Sequence, residues 1–247
     1  GRPVGALNVD SLETNAFDES DLRLLVLMAN EAGRVLENMW MIQQLRRKAD
    51  QLQTLVLVGQ DMAGKRELEE VLQTITREAL LLADCRLSAF FLYDQEKDLL
   101  NLHSLHDGQG PRSHEEVLVP ADSILGTSLR GHRQVQTRDL FRTEEHHFVK
   151  LIREENLQSM LVTPVVYEDK PIGVLSLYVD RKHRFNDDER MIVRALAGLG
   201  AIAIQNARLY ARVFDSEESM RKSERLTTLG TLAAEIAHEI RNPLMVI

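Results

Sequence analysis

The residues with the clearest chemical potential lie near the end of the 247-residue chain, in "AAEIAHEIRNPLMVI", Ala233 to Ile247. His238 and Glu239 stand side by side, Asn242 follows and Pro243 comes next. The stretch opens like the zinc-protease pattern His-Glu-x-x-His, in which two imidazoles four residues apart share one helix face. Here Asn242 occupies the second histidine's position and is a poor zinc ligand, so the metal reading fails at the ligand that matters. A buried structural histidine would fall on the apolar seam of its helix. Leu226, Leu229, Ala233, Ile236, Ile240 and Ile247 recur at alternating spacings of three and four, with Pro243 in the one slot left. That is a heptad seam, and counting from Leu226 as position a puts His238 at f, away from the seam. The remaining role is that of a nucleophile. An imidazole with a pKa near ~6.5 is largely neutral at pH 7 and has a lone pair to offer. Glu239 can take the proton from the other ring nitrogen as attack proceeds. Phosphoryl transfer asks mainly for positioning and charge stabilisation, and an exposed histidine on a stiff helix suits an acceptor approached by a separate ATP-bearing domain. Pro243 cannot donate to the carbonyl of Glu239 and its ring crowds that carbonyl, so a bend is expected one turn beyond His238.

The elements that must position this helix are legible from a repeat. "RPVGALNVDSLETNAFDESD" from Arg2 and "KPIGVLSLYVDRKHRFNDDE" from Lys170 align without a gap at an offset of 168. Pro3, Gly5, Leu7 and Phe17 fall on Pro171, Gly173, Leu175 and Phe185; Ala29 and Asn38 fall on Ala197 and Asn206. Each copy reads as a turn, an apolar strand (4–10 in the first), a loop, an acidic helix start and a long helix, so the chain carries tandem copies of one unit. The first copy shows only its last part, and the chain reads as a piece of a longer protein. Its long helix is expected from about Glu19 to Ala63. The stripe Val35, Asn38, Ile42, Leu45, Ala49, Leu52, Val56 is again a heptad seam, which predicts pairing as a coiled coil. Gly59 and Gly64 mark a break. A helix is expected over 67–83, strands over 87–93, 99–105 and 117–119, and a short helix capped by Asp122 and running to about Arg130. Another short helix is expected within 139–155, then strands at 159–166 and 172–179 joined by the turn "YEDK". The last helix starts near Asp187 and runs far beyond the domain. Its stripe Ile202, Asn206, Leu209, Val213, Ser216, Met220 differs in heptad phase by one residue from the stripe that follows Leu226, and such a break locally overwinds or unwinds a coiled coil.

"LSAFFLY" is apolar on both faces, whereas a sheet with one solvated face alternates apolar and polar. Both faces of the sheet are therefore expected to be covered, one by the flanking helices and one by the 107–157 region. A cavity between that region and the sheet is the natural ligand space. Six of the eight histidines, His103, His106, His114, His132, His146 and His147, lie in or near it. "EEHHF" has no metal spacing with defined partners, and these read as surface histidines. The single cysteine, Cys85, excludes an internal disulfide and, set in "LLLADCRLSAFF", reads as a small buried hydrophobe in a reducing, cytoplasmic compartment. The net charge of −8, with charges interleaved, leaves no basic stripe for nucleic acid. No apolar run approaches the roughly 18 residues of a membrane span.

Two family resemblances emerge from these residues. "ELEEVLQTITREALLLADCRLSAFFLYD", together with "SMLVTPVVYEDKPIGVLSLYV", "RFNDDE" and "ALAGLGAIAIQNARLY", resembles a GAF domain over about 67–211, and residues 1–42 resemble the end of a preceding one. The resemblance implies an α+β fold: a central antiparallel sheet, helices on one face that often dimerise, and a small-molecule pocket on the other. The Asn-Lys-Phe-Asp-Glu signature of cyclic-nucleotide binders is matched only loosely, at Phe185 and Glu189, so the ligand is unknown and a ligand-free dimer spacer is the other option. "KSERLTTLGTLAAEIAHEIRNPLMVI" resembles the H-box of sensor histidine kinases. It implies that His238 takes a phosphoryl group from ATP and passes it to an aspartate of a response regulator receiver domain. Glu239 would be the acid/base partner, Asn242 would act in dephosphorylation of the regulator, and Pro243 would be the bend. The expected organisation is the end of a GAF domain at 1–42, a linker helix at 43–66, a GAF domain at 67–211, and a signalling helix with the first half of the phosphoacceptor domain at 212–247. The parent protein would be a homodimeric ATP-dependent histidine kinase, and this chain, without the ATP-binding domain, would be inactive alone. The competing expectation is a non-enzymatic GAF ligand-binding or dimerisation module whose last helix only resembles an H-box.

Overall fold

A computed structural model describes residues 3–113, 117–120, 122–142 and 149–244, apart from the side chains of residues 142, 149–150, 228 and 231–244. The chain divides into two compact units, 1–56 and 57–247.

The second unit is built on an antiparallel sheet. Its strands are β1 (Leu87–Asp94), β2 (Leu99–Asp107), β3 (Gly110–Pro111), β4 (Leu118–Pro120), β5 (Val135–Thr137), β6 (Ser159–Tyr167) and β7 (Lys170–Val179). They lie in the order β3-β2-β1-β7-β6-β5, and β4 adds to β2 at Leu99–Asn101. The β6–β7 hairpin closes through Glu168 and Asp169 at φ 47° and 60°, the doubly left-handed turn whose twist matches paired strands. As expected for a strand apolar on both faces, Leu87 through Leu92 are all buried.

One face is covered by helices. In α2 (Leu68–Leu82) the residues Val71, Leu72, Ile75, Thr76, Ala79 and Leu80 are buried at helical spacing. The helix is tied to the sheet by a buried hydroxyl pair, Thr76 to Ser104, at 2.9 Å. Beside it runs α5 (Asp187–Leu244), which buries Val193, Leu196, Ala197 and Ile204. The α2–α5 approach is close because Gly200 faces Ile75: a Cβ there would meet the Ile75 Cδ1 at 2.7 Å. The last turns of α1 (Glu19–Ala63) add Val58 and Met62, with Gly59 letting the helix pass against Leu199.

The other face is covered by α3 (Ile124–Arg130), a 3-10 turn (Leu140–Arg142) and α4 (Val149–Glu154). Leu125, Leu129, Leu140 and Ile152 pack there on Leu87, Ala89, Phe91, Val174 and Tyr178. The N-cap of α3 is Ser123, not the expected Asp122. Ser123 has the extended backbone of a cap, and its hydroxyl accepts from the Gly126 amide at 3.3 Å. Two edge strands, β3 and β5, escaped the sequence reading, because two or three residues carry no periodicity.

In the first unit α1 begins at Glu19, as expected, but residues 4–10 are not a strand. The equivalent β7 is hydrogen-bonded on both sides, to β1 and β6. An apolar stretch without strand neighbours has no ladder to join. The helix start survives the difference because its bonds are local. Asp18 accepts from the amides of Ser20 (2.6 Å) and Asp21 (2.9 Å), and Asp21 accepts from the Asp18 amide at 2.9 Å. In the second copy Asn186 and Glu189 form the same reciprocal pair at 2.9 and 2.7 Å. The repeat offset is thus reproduced by the capping geometry itself.

Candidate functional site

The phosphoacceptor candidates sit at the far end of α5. The helix runs without interruption from Asp187 through His238, Glu239, Asn242 and Pro243 to Leu244. Residues 245–247 and the side chains of these four candidates lie outside the described residues. The helix that carries His238 is therefore the same helix that closes the sheet. Between the two regions the expected seam residues Ile202, Leu209, Val213, Met220, Leu226 and Leu229 are all exposed, the apolar line of a helix that has a further face to cover.

Across the sheet, where a ligand space is expected, the described side chains pack as a buried apolar layer. Tyr178 and Ser176 bring hydroxyls into this layer; the Ser176 hydroxyl donates to the Ala89 carbonyl at 3.3 Å. Burial pushes the Tyr178 phenol well above its ordinary range, with Ser176 opposing the shift. The rim is polar. Glu155, just after α4, accepts from Arg112 at 2.9 Å and from Arg86 at 3.2 Å. Those two hydrogen bonds, the Arg112 one foremost, hold its carboxyl below the usual range against a smaller opposing effect of burial.

Among the described residues the histidines do not converge. His106 pairs its Nδ1 with the Asp107 carbonyl at 2.8 Å, His132 sits at φ 45° after α3, and His103 belongs to β2; His114, His146 and His147 lie outside the described residues. Among the described residues no three His, Cys, Asp or Glu form a cluster that could hold a metal. His183, near the start of α5, is spent on Glu189 at 3.1 Å and on the edge of Phe185, whose ring is buried. Cys85 is half-buried, donates to the Ala83 carbonyl at 3.3 Å, and is pushed up to about 12 by burial, then by Asp84 and Glu189. That is the chemistry of an inert thiol. Among the described residues no helix is long and apolar enough to cross a membrane.

Sequence reasoning missed one feature of this unit, a cleft under α5 around Arg208. The available signal was Arg208 and Arg212 on one helix face, four residues apart, with like charge.

Comparison with known proteins follows the architecture. The profile of the GAF domain family matches residues 65–205. The formate hydrogenlyase transcriptional activator FhlA of Escherichia coli (strain K12) is 22% identical over 193 residues, 71% of this chain and 26% of that protein. The chain thus spans about a quarter of that relative's length. The GAF domain of the Acinetobacter phosphoenolpyruvate-protein phosphotransferase superposes with a TM-score of 0.56 at 20% identity, covering 64% of this chain and 95% of that one. The corresponding domain from Coxiella burnetii gives 0.56 at 15% identity, covering 66% and 96%. At such identities the likeness is one of fold.

Proposed function

This chain belongs to the GAF domain family, a family of sensory and regulatory modules, and on that premise we propose that it is the sensory and phosphoacceptor region of a two-component histidine kinase. The observation that carries the reading is the continuity of α5 from the sheet to the motif His-Glu-Ile-Arg-Asn-Pro-Leu. In this reading an imidazole nitrogen of His238 attacks the γ-phosphorus of ATP held by a separate domain. The bond to the β-phosphate oxygen breaks, ADP leaves, and the proton of the other ring nitrogen passes to Glu239. An aspartate of a receiver domain then takes the phosphoryl group. Asn242 serves the reverse, hydrolytic step on the regulator, and Pro243 supplies the bend. The chain works in the cytoplasm, where ATP is available, as a homodimer paired along the exposed seams.

We further assign residues 1–42 to the end of a preceding GAF domain. Support comes from burial at positions 168 apart. Phe185 is 1% exposed and Phe17 52%; Leu196 is 0% and Met28 57%. Leu7, Val9, Leu24 and Leu36 are likewise exposed where Leu175, Leu177, Ile192 and Ile204 are buried. The first copy carries a core side that its own residues do not fill.

The test is to present the chain with ATP and the ATP-binding domain of a related kinase. Acid-labile phosphate is expected on the wild type and absent in His238→Gln; an unlabelled wild type would sink the reading. A second reading, a GAF module of a non-kinase regulator, is favoured by the likeness to FhlA, whose own description is a transcriptional activator. It predicts no label under any condition.

A further inference from the structure

On the helix-bearing face a cleft of about 320 Å³ opens between α5 and the outer end of the β1–β2 hairpin. Arg208 of α5 forms one wall, Asn101 and His103 of β2 face it, and Asp94 and Lys97 stand at the hairpin turn. A β-bulge creates part of this surface: Phe90 pairs with Ser104 and Phe91 with Leu102, so His103 is the extra residue. A bulge re-aims a side chain, and here it leaves His103 on the cleft side with Asn101.

The charges in the cleft are unbalanced. Arg208 is half-buried and, among the described residues, makes no ion pair or hydrogen bond. Its charged neighbour is Arg212, of the same sign. Other arginines of this unit do have carboxylates: Arg86 and Arg112 share Glu155, Arg130 has Asp98, and Arg181 has Asp84. Lys97 is engaged with Asp94 at 3.6 Å, which leaves the Arg208 charge unanswered. A second group is also unanswered: the buried Asn101 side-chain oxygen has no partner among the described residues. Oxygen and nitrogen of that amide exchange by a half-turn, so the same position can offer an N–H donor.

We propose that this cleft binds a small organic anion, its carboxylate or phosphate gripped by the Arg208 guanidinium and oriented by the Asn101 amide. A guanidinium presents a fork of donors matched to either oxyanion. The site lies on the opposite face of the sheet from the α3–α4 cover, so it is distinct from the ligand space anticipated there. An occupant would tie α5 to β2. Arg208 precedes His238 by 30 positions on one helix, about 45 Å at 1.5 Å per residue. Only this regulatory consequence rests on the phosphoacceptor reading; anion binding does not, and the two fail separately.

The experiment uses the full 247-residue chain, with NMR of the Arg208 Nε–H and the Asn101 side-chain amide. Inorganic phosphate and succinate are titrated in parallel at constant ionic strength, with chloride as the balance. Saturable shifts at both groups are expected for one of the two, and which one saturates at lower concentration distinguishes a phosphate from a carboxylate ligand. Arg208→Met should weaken that binding at least tenfold, and Arg181→Met, beyond the end of β7 that lies away from the β1–β2 hairpin turn, should leave it unchanged. Asn101→Asp, which places a carboxylate on the cleft floor, should weaken it as well and serves if Arg208→Met does not fold. Absence of saturation with both anions overturns the proposal. So do equal affinities in wild type and in the cleft variants, or shifts that follow protein concentration alone, which would mean that a second copy fills the cleft.

Discussion

Single residues set the tolerances of this domain. At Gly173, opposite Leu92 on β1, a Cβ would run into the Phe91 carbonyl oxygen, which is backbone and cannot step aside. Gly173→Ala is expected to cost about 2–3 kcal/mol, from overpacking in a dense core. A urea midpoint within error of wild type would refute this. Glu155 gives the pH-dependent counterpart. Its carboxyl is held below the ordinary 4.5 by Arg112 and Arg86, so the folded state binds the proton less readily than the unfolded chain. The resulting stabilisation is present above about 4.5 and is lost as pH falls through the lowered value. Glu155→Gln should therefore lower the thermal midpoint at pH 7, with the gap to wild type closing on acidification below the ordinary value. A gap that is constant with pH would assign the loss to packing instead.

Elements add what residues cannot: the helices carry the caps, and α5 runs unbroken from the sheet to the His238 motif. The Asn186–Glu189 capping pair starts the helix that closes the sheet. Asn186→Ala should cost about 1 kcal/mol, seen as faster amide exchange in the first turn of α5. The 215–224 stretch of α5 is helical throughout, although the heptad phase changes by one residue across it. Inserting a residue there removes or doubles that offset and turns the downstream face by about 100° per residue. If the proposed kinase reading holds, output of the full-length protein should change sharply with one inserted residue and recover largely with seven; indifference to both would refute rotation as the signal.

At the scale of the molecule, the two units differ in how their apolar surface is used. The second unit covers both faces of its sheet. The first displays Leu22, Leu24, Leu27, Met28 and Trp40, an apolar surface of the kind that marks an interaction site. A chain beginning at residue 51 should lose the share of a hydrophobic dye's fluorescence that comes from this surface and keep the share from the exposed α5 seam. It should keep the unfolding midpoint of the GAF unit within about 2 °C, less than a 1 kcal/mol change would produce. A dye signal undiminished by the deletion would refute an apolar interaction surface on the first unit.

Sequence by itself determined whatever is decided locally. The 168-residue repeat, the acidic start and span of α1, the principal strands of the second unit and the heptad pattern were legible because a helix start or a periodic face needs only residues a few positions away. Only the tertiary structure decided what depends on distant neighbours. Residues 4–10 match β7 in pattern yet form no strand, because a strand's hydrogen bonds belong to its partners. β3 and β5 exist only through pairing with β2 and β6. The Arg208 cleft required β2 to bulge at His103 and α5 to pass above it, a juxtaposition across more than a hundred residues that no spacing in the chain encodes.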